Sequence, residues 1–211
     1  MRSKLTYTER VLNIWAISMI LWSFYRAAFQ ADLGIWFDEI VAKPSIFLVP
    51  MYVFITKFEG KQFIKSVGLK VKSIWYELVL GGLLGSVFFL AMLLLSDIHF
   101  FMDRKAIQWI ILALVTATSE VLLSQGFVLE RLLKESKNMI TSCLYASVLN
   151  FFLNVPLLFT TPGLTGDLLL KVLIMQLSLN LGLSFLYANR RSVYAPILIK
   201  ALYLLSVYLI I

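Results

Sequence analysis

Seven stretches of the chain are long and apolar enough to cross a lipid bilayer as helices. A helix needs about 20 mainly apolar residues to span the hydrocarbon layer. The stretches are 11–29, 36–56, 74–96, 106–133, 139–159, 168–188 and 193–211. The sequence therefore predicts an all-α, polytopic transmembrane helical bundle of about seven spans. Because no internal repeat, low-complexity tract or linker is visible, residues 1–211 are expected to form a single transmembrane domain.

The second stretch is the least regular of the seven. Asp38, Glu39 and Lys43 stand at its start, and Pro44 and Pro50 interrupt it. Proline lacks a backbone donor and disturbs a helix interior. We therefore expect this span to be a broken or half-embedded helix.

Composition supports a membrane location and excludes several kinds of site. The chain is 60% hydrophobic and 15% charged, with a mean hydropathy of +0.86, whereas a soluble domain is about half apolar and about a quarter charged. Cys143 is the one cysteine, so no internal disulfide can form, and His99 is the one histidine. Zinc sites take about three or four His, Cys or carboxylate ligands. A zinc site built on several His or Cys residues is therefore excluded, and no metal or cofactor is expected.

The basic residues predict an orientation in the membrane. Lys and Arg concentrate on cytoplasmic loops, and with seven spans most of them fall on one side, before the first span and after the second, fourth and sixth. The N-terminus is therefore expected in the cytoplasm and the C-terminus outside. This bias, with attraction to anionic membrane lipid, explains the net charge of +7 without a nucleic-acid partner. The basic segment 57–72 is expected either as an amphipathic helix on the membrane surface or as a solvated loop.

Charged residues inside the spans are the most informative positions. Glu120 lies in the middle of the fourth span and Lys200 lies in the seventh. A mid-span charge costs about 2.5–3.5 kcal/mol, so we predict that these two side chains approach each other in the bundle interior. Arg26 and Lys43 lie near span ends, where we expect them to snorkel to the headgroups.

Uncharged polar residues recur in the spans at helical spacing. The i,i+4 pairs are Glu120 with Ser124, Asn150 with Asn154, and Gln176 with Asn180. Such pairs share one face of a helix. For Ser124, Gln176 and Asn180 the simplest interpretation is hydrogen bonding between helices, worth about 1 kcal/mol or less.

Three segments of the C-terminal half carry spaced polar positions in a recognisable order. They are EVLLSQGFVL at 120–129, SVLNFFLNVP at 147–156, and SVYAPILIK at 192–200 followed by Leu204. Over roughly residues 106–211 their order and spacing resemble the CAAX protease and bacteriocin-processing (CPBP, or Abi) family of intramembrane proteases. In that family the motifs read Glu-Glu, three residues, Arg; then Phe, three residues, His; then His, three residues, Asn. The N-terminal half is more weakly similar, at 38–44 and 66–69.

The departures from the family pattern fall on the positions that carry chemistry. Glu120 keeps the first glutamate. In the first motif, Val121 replaces the second glutamate and Gln125 replaces the arginine. In the second motif, Asn150 replaces the phenylalanine and Asn154 replaces the histidine. In the third motif, Lys200 replaces the histidine and Leu204 replaces the asparagine. An alternative register takes Ser119 and Glu120 as the acidic pair. It places the arginine position at Ser124 and displaces the glycine, so we prefer the first register.

The resemblance implies a set of site residues. In the family a glutamate activates water, and histidines position it or stabilise the oxyanion. The degenerate catalytic positions are then Glu120, Asn154 and Lys200. The neighbouring positions expected to bind substrate are Ser124, Gln125, Asn150 and Asn180. Neither asparagine nor lysine reproduces imidazole as a metal ligand or as a proton shuttle near pH 7, so the sequence favours a protein that is not an enzyme.

Three functions are compatible with these observations. The leading hypothesis is a pseudoprotease that binds a membrane peptide, a lipoprotein or a partner membrane protein. The family includes bacteriocin self-immunity proteins and a partner in bacterial lipoprotein N-acylation, so the resemblance implies a prokaryotic plasma membrane and a role of that type. The second hypothesis is a divergent intramembrane endopeptidase or group-transfer enzyme that uses Glu120, Asn154 and Lys200 without a metal. The third is a small transporter or a structural bundle.

Overall fold

All of the regular structure in the described residues is helical. The computed structural model describes residues 6–69, 74–96, 106–136, 138–160 and 165–210. The α-helices are α1 (Tyr7–Phe37), α2 (Lys43–Val53), α3 (Phe63–Ser66), α4 (Ile74–Ser96), α5 (Ala106–Val121), α6 (Glu130–Glu135), α7 (Met139–Thr160), α8 (Gly166–Arg190) and α9 (Tyr194–Ile210). Three π-helical segments join some of them: Asp38–Ala42, Phe54–Phe58 and Leu122–Leu129. The predicted all-α class is confirmed.

Among the described residues, six helical stretches are long and apolar enough to cross a bilayer. They are Tyr7–Phe29, Gly34–Phe58, Ile74–Leu94, Ile107–Glu135, Met139–Pro156 and Gly166–Arg190. The apolar helix Tyr194–Leu209 is shorter. With a rise of 1.5 Å per residue, the 17 residues of α9 extend about 25 Å, which is less than the hydrocarbon thickness of about 30 Å. The polytopic bundle is confirmed, while the seventh span stays a prediction.

The second span follows a sharp change of direction at Gly34. This residue has φ 75° and ψ 157°, a conformation that glycine adopts without the steric cost of a side chain. The π-helical segment Asp38–Ala42 then leads into α2, where Pro44 lies in the first turn and Pro50 in the interior. The irregularity expected for this span therefore takes the form of π-helical turns, which admit an extra residue per turn and rotate Asp38 and Glu39 into the protein.

Helix α9 packs closely against α4 and also contacts α5. A Cβ atom added at Gly81 would lie 3.0 Å from the Cα atom of Ala195, and one added at Gly85 would lie 3.0 Å from the Cα atom of Ile199. Small residues allow helices in a membrane to approach in this way. The close packing places Lys200, one residue after Ile199, inside the bundle with its side chain fully buried.

The buried apolar side chains form two groups. One joins α1, α2, the π-helical segment Leu122–Leu129 and α7, and includes Trp22 and Phe127. The other joins α4, α5, α8 and α9, and includes Leu112 and Tyr203. Polar side chains from α2, α5 and α9 meet between elements of both groups, and they form the site described below.

The basic segments that the sequence placed on one side of the membrane do lie together. Glu59 is within 3.1 Å of Arg131, Glu130 is 2.8 Å from Arg191, and Glu77 is 2.7 Å from Arg190. The hydroxyl of Tyr7, at the start of α1, donates to Glu59 at 2.6 Å. We call this end of the bundle, formed by residues 7–10, 57–69, 130–136 and 190–192, the basic end.

The segment after the second span lies on the surface of the basic end, and we call its described part, residues 57–69, the surface segment. It contains the short helix α3, with Phe58 75% exposed and Ile64 61% exposed. Exposed apolar side chains beside basic ones are typical of a helix that lies on a membrane surface. The choice between a helix on the membrane surface and a solvated loop stays a prediction, and the remainder of the segment, 70–72, lies outside the described residues.

Gly126 is the point where this surface segment packs most closely on the Leu122–Leu129 segment. A Cβ atom at Gly126 would lie 2.7 Å from the carbonyl oxygen of Val67. Because backbone cannot swing aside as a flexible side chain can, we expect Gly126→Ala to lower the free energy of unfolding by about 1–3 kcal/mol. Thermal unfolding in detergent measures this. Gly182→Ala is the matched control, since an added Cβ there meets nothing within 4 Å, and equal losses in both variants would contradict the clash.

A buried charge cluster as the candidate functional site

Glu120 lies near the end of α5 and is completely buried. Its Oε2 atom is 2.5 Å from the Nζ atom of Lys200 on α9, which confirms the predicted approach of these two side chains. Its Oε1 atom is 2.5 Å from the Nζ atom of Lys43 on α2. Both carboxylate oxygens are therefore held by lysine ammonium groups from two different helices.

A second carboxylate extends the arrangement. The Oε2 atom of Glu39 lies 2.9 Å from the Nζ atom of Lys43 and accepts a hydrogen bond of 2.9 Å from the hydroxyl of Thr116 on α5. Glu39, Lys43, Glu120 and Lys200 thus form an alternating row of two acids and two bases, all with 0% exposure. We call these four residues the charge cluster. Its formal charges cancel, as the high cost of an unpaired buried charge requires.

The prediction that Arg26 and Lys43 snorkel to the headgroups is wrong. Lys43 is fully buried in the charge cluster, and Arg26 is 4% exposed with its Nη1 atom 2.8 Å from Asp38. The indole ring of Trp22 lies beneath both cations, 5.8 Å from the Arg26 guanidinium carbon and 5.2 Å from the Lys43 Nζ atom. Each cation stays inside because the π-helical segment Asp38–Ala42 supplies it with a carboxylate, and the aromatic face adds a cation–π attraction.

An amide network connects the charge cluster to α7 and α8. The Nζ atom of Lys200 donates to the Oδ1 atom of Asn150 at 3.3 Å, and the Nδ2 atom of Asn150 donates to the Oδ1 atom of Asn180 at 2.9 Å. The hydrogen bonding between helices that was expected for Asn180 is confirmed. Asn154 is 3% exposed, and its Nδ2 atom donates within α7, to the Asn150 carbonyl at 3.1 Å.

Ser124 and Gln125 lie one turn beyond Glu120, in the π-helical segment, and both are buried. The Ser124 hydroxyl is 2.5 Å from the Glu120 carbonyl oxygen and 2.5 Å from the Gln125 Oε1 atom. These contacts are local rather than between helices. Within the described part of the chain, the Nε2 atom of Gln125 has no hydrogen-bond partner, and neither has the Nε2 atom of Gln176 or the Nδ2 atom of Asn180.

The structure therefore brings four of the seven sequence-predicted site residues into one connected network. Glu120, Lys200, Asn150 and Asn180 belong to it, whereas Asn154, Ser124 and Gln125 lie a turn away with local contacts. Sequence reasoning missed Glu39, Lys43 and Thr116 as parts of the site. The signal was present, because Glu39 and Lys43 are an opposite-charge i,i+4 pair at the start of a span, and such pairs face each other on a helix.

The donor set around Glu120 does not fit a divalent cation. Metal sites in proteins collect several carboxylate, imidazole or thiolate ligands. Within the described ranges no group of three or more His, Cys, Asp or Glu residues is placed to hold a metal ion. The two ammonium groups on Glu120 would repel a cation, and a protonated lysine has no lone pair to offer it.

An open groove lies beside the charge cluster, on the outer surface between α2 and α5. Its volume is about 370 Å³. Its lining residues are Ile40, Pro44, Leu48, Leu114, Val115, Thr118 and Ser119. Three of them, Ile40, Pro44 and Ser119, directly follow or precede cluster residues in the chain. The groove is mainly apolar, so it suits an apolar ligand.

Comparison with known proteins identifies the C-terminal half of the chain. Residues 102–205 match the family model described as type II CAAX prenyl endopeptidase Rce1-like. No curated protein and no solved structure matches the chain. Over the matched range this helical membrane protein is similar to the Rce1-like CAAX-protease family, and the resemblance indicated by the three motifs is confirmed. Glu120 and Lys200 lie inside this range, whereas Glu39 and Lys43 lie outside it.

Proposed function

We propose that the chain is a catalytically degenerate member of the CAAX-protease family, a pseudoprotease that works by binding a membrane peptide, a lipoprotein or a partner membrane protein. The observation that carries this proposal is the environment of Glu120. A general base must reach its water with a free carboxylate oxygen. Both oxygens of Glu120 instead lie 2.5 Å from lysine ammonium groups, which neutralise the carboxylate and make it a poor acceptor for a proton from water.

The other degenerate positions support the same proposal. Lys200 stands where the family has a histidine, and as a cation it can donate hydrogen bonds but cannot accept a proton. Asn154 stands at the other histidine position, and its amide donates to the Asn150 carbonyl. Proton transfer by a side chain needs a group that can both take up and release a proton near the working pH. Neither Lys200 nor Asn154 does so in these contacts.

Binding is supported by the groove and by the buried amides. A bound apolar segment would lie against Pro44 and Thr118 in the groove. Buried donors without a partner cost about 1–3 kcal/mol each, and the amide nitrogens of Gln125 and Asn180 are such donors within the described residues. Both amides are fully buried and lie outside the groove lining, so part of a bound peptide would have to enter the bundle for its backbone carbonyls to satisfy them. We therefore propose a ligand-binding role for Gln125 and Asn180, with Ser124 and Asn150 orienting their side chains.

The proposal includes a membrane setting. The protein would form one transmembrane domain in a prokaryotic plasma membrane, with the basic end in the cytoplasm and the C-terminus outside. This orientation follows from the preference of Lys and Arg for cytoplasmic loops and from the clustering of the basic segments at one end. A role in immunity or in lipoprotein modification fits a protein that binds but does not cut.

A farnesylated fluorescent peptide ending in a CAAX sequence tests binding and cleavage together. With the full chain in lipid nanodiscs, we expect saturable binding by fluorescence anisotropy and no cleaved product by mass spectrometry. Thr118→Trp should weaken binding about tenfold because it fills the groove. Val87→Trp, on the 62% exposed face of α4, is the matched control and should leave binding unchanged. Product release by the wild type that disappears in folded Glu120→Gln would establish the divergent protease instead.

A further inference from the structure

A second cavity lies at the basic end, away from the charge cluster. Its volume is about 190 Å³, and it is lined by Lys65, Gly68, Glu130, Tyr187 and Arg191. These residues come from the surface segment, from α6, and from the end of α8 with the residue after it. The cavity thus lies where three parts of the chain meet, and its lining is mostly polar.

The carboxylate in this cavity is already neutralised. The Oε1 atom of Glu130 is 2.9 Å from the Nζ atom of Lys134. Its Oε2 atom accepts a hydrogen bond of 3.0 Å from the Tyr187 hydroxyl and one of 2.8 Å from the Nη1 atom of Arg191. Glu130 therefore fixes the phenol and the guanidinium in place and has little charge left to repel an anion.

The cavity lining carries more positive charge than the Glu130 carboxylate neutralises. Lys65 is exposed and has no ion-pair partner among the described residues. Arg191 contacts Glu130 through one Nη1 atom, and a guanidinium carries five N–H donors. Counting Lys65, Arg191 and Glu130, the lining has a formal charge of +1. Lysine and arginine donors that converge in this way suit the oxygens of a phosphate group.

Gly68 closes one side of the cavity with backbone alone. It has φ +81°, and a Cβ atom there would lie 3.1 Å from the Tyr187 hydroxyl oxygen and 3.4 Å from the Arg191 carbonyl oxygen. A side chain at this position would therefore press against the phenol of Tyr187 and the backbone of Arg191. The glycine conformation keeps the cavity open.

Exposed aromatic and aliphatic side chains place the cavity at the level of the lipid headgroups. Phe58 is 75% exposed and Ile64 is 61% exposed in the same surface segment as Lys65. Trp75 and Tyr76, at the start of α4, are 79% and 58% exposed. Tryptophan and tyrosine collect at the membrane–water interface. A phosphate-binding cavity at this level lies beside the phosphate groups of the membrane lipids.

We propose that this cavity binds the phosphate group of an anionic phospholipid, with the Lys65 ammonium and the Arg191 guanidinium on the phosphate oxygens. Basic pockets at the surface of helical membrane proteins hold lipid headgroups by this chemistry. The site is separate from the charge cluster, and it stands whether the cluster binds or catalyses. Lipid bound here would bridge the surface segment, which precedes the Rce1-like range, to α6 and α8 within it.

Titration of the full chain in neutral detergent with short-chain phosphatidylglycerol, read by native mass spectrometry, tests the site. We expect Lys65→Gln to weaken binding about tenfold, equal to about 1.4 kcal/mol, with the unfolding temperature unchanged. Lys57→Gln is the matched control. It removes the same charge from an exposed position at the same end, outside the cavity lining, and should change the affinity less than twofold. Arg191→Gln should weaken binding at least as much as Lys65→Gln.

Three results would overturn the assignment. Equal losses in the Lys65 and Lys57 variants would mean a diffuse attraction to positive charge rather than a site. Phosphatidylcholine bound as tightly as phosphatidylglycerol would remove the selectivity for an anionic headgroup. Inorganic phosphate that displaces the lipid at equal concentration would show a site for free phosphate instead of a lipid.

Discussion

Glu120→Gln is expected to lower the free energy of unfolding by about 3–5 kcal/mol, the cost of breaking a buried ion pair by removing one partner. The variant keeps the size and shape of the side chain. It leaves Glu39 as the one carboxylate of the charge cluster beside Lys43 and Lys200, so the cluster carries +1 with 0% exposure. Unfolding by sodium dodecyl sulfate in mixed micelles, followed by circular dichroism, gives the change.

A double-mutant cycle separates this charge imbalance from a loss of packing. Lys200→Met alone leaves the cluster at −1 and should cost a similar amount. The double variant Glu120→Gln with Lys200→Met leaves the neutral pair of Glu39 and Lys43, which are 2.9 Å apart. We therefore expect it to be more stable than either single variant, with a coupling energy of about 3 kcal/mol. If the double variant lost as much stability as the two single variants together, the result would contradict the charge cluster.

An exposed ion pair provides the control for the cycle. Lys61 is 3.1 Å from Glu59, but its side chain is 53% exposed. Solvent screens such a pair, so Lys61→Gln should cost less than about 1 kcal/mol. If Lys61→Gln lowered the free energy of unfolding as much as Glu120→Gln, a general sensitivity to loss of charge would explain both results. The burial of the charge cluster would then not be the cause.

The fold was largely predictable because span length is a strong constraint. An apolar stretch of about 20 residues has few alternatives to a membrane helix, and six of the seven predicted stretches correspond to helices of that kind. The seventh stretch, 193–211, corresponds to α9, whose 17 described residues fall just short of that length. The helix starts at Tyr194, directly after the turn at Arg191 with its positive φ of 54°. Where a helix starts depends on such local backbone conformations, and hydropathy does not report them.

The charged part of the site was predictable only where a charge on one helix needed a partner on another. Glu120 and Lys200 are both mid-span charges of opposite sign, so each indicates the other. Lys43 was misplaced because its position near a span end suggested snorkelling. Its burial depends on the turn at Gly34 and on the π-helical segment Asp38–Ala42, which aim Glu39 and Lys43 inwards. Such rotations are set by tertiary packing, and a regular helical wheel misses them.

The charge cluster also joins the two halves of the chain. Glu39 and Lys43 precede the range that matches the Rce1-like family, whereas Glu120 and Lys200 lie inside it. A family match over residues 102–205 therefore describes only part of the site. The proposal of a pseudoprotease depends on Lys43 as much as on Lys200, since each lysine occupies one oxygen of the glutamate that the family keeps.

At the basic end, Arg131 also connects the two halves of the chain. Its guanidinium contacts Glu59 through Nε and Nη2 at 3.1 Å each, the Ser66 hydroxyl at 2.7 Å and the Gly126 carbonyl at 3.0 Å. The side chains of Arg131 and Glu59 are only 2% and 4% exposed. Burial alone raises the pKa of the Glu59 carboxyl, but hydrogen bonds from Arg131 and Tyr7 and the charge of Arg131 outweigh it and hold this pKa below its ordinary value of 4.5.

Arg131→Met should therefore lower the free energy of unfolding by about 3–5 kcal/mol, because it removes the guanidinium from a buried carboxylate and from several backbone acceptors. Hydrogen exchange should become faster in residues 59–69 and stay unchanged around Glu120. Arg131→Lys keeps the charge without the planar fork of donors, so it should recover less than half of the loss. Lys134→Met, at a 52% exposed position, controls for charge removal and should cost less than about 1 kcal/mol.

The pH dependence of stability gives a readout specific to the Arg131–Glu59 pair. Because the pKa of Glu59 is lower in the folded protein than in the unfolded chain, its ionised form stabilises the fold above pH 4.5, and this stability is lost as the pH falls through the lowered value. In Arg131→Met the two pKa values converge or reverse, so this fall should flatten. Arg131 also lies 4.6 Å over the Phe127 ring, so it could act through packing. If Arg131→Met were destabilised but its free energy of unfolding kept the wild-type dependence on pH below pH 5, Arg131 would act through that packing and not through Glu59.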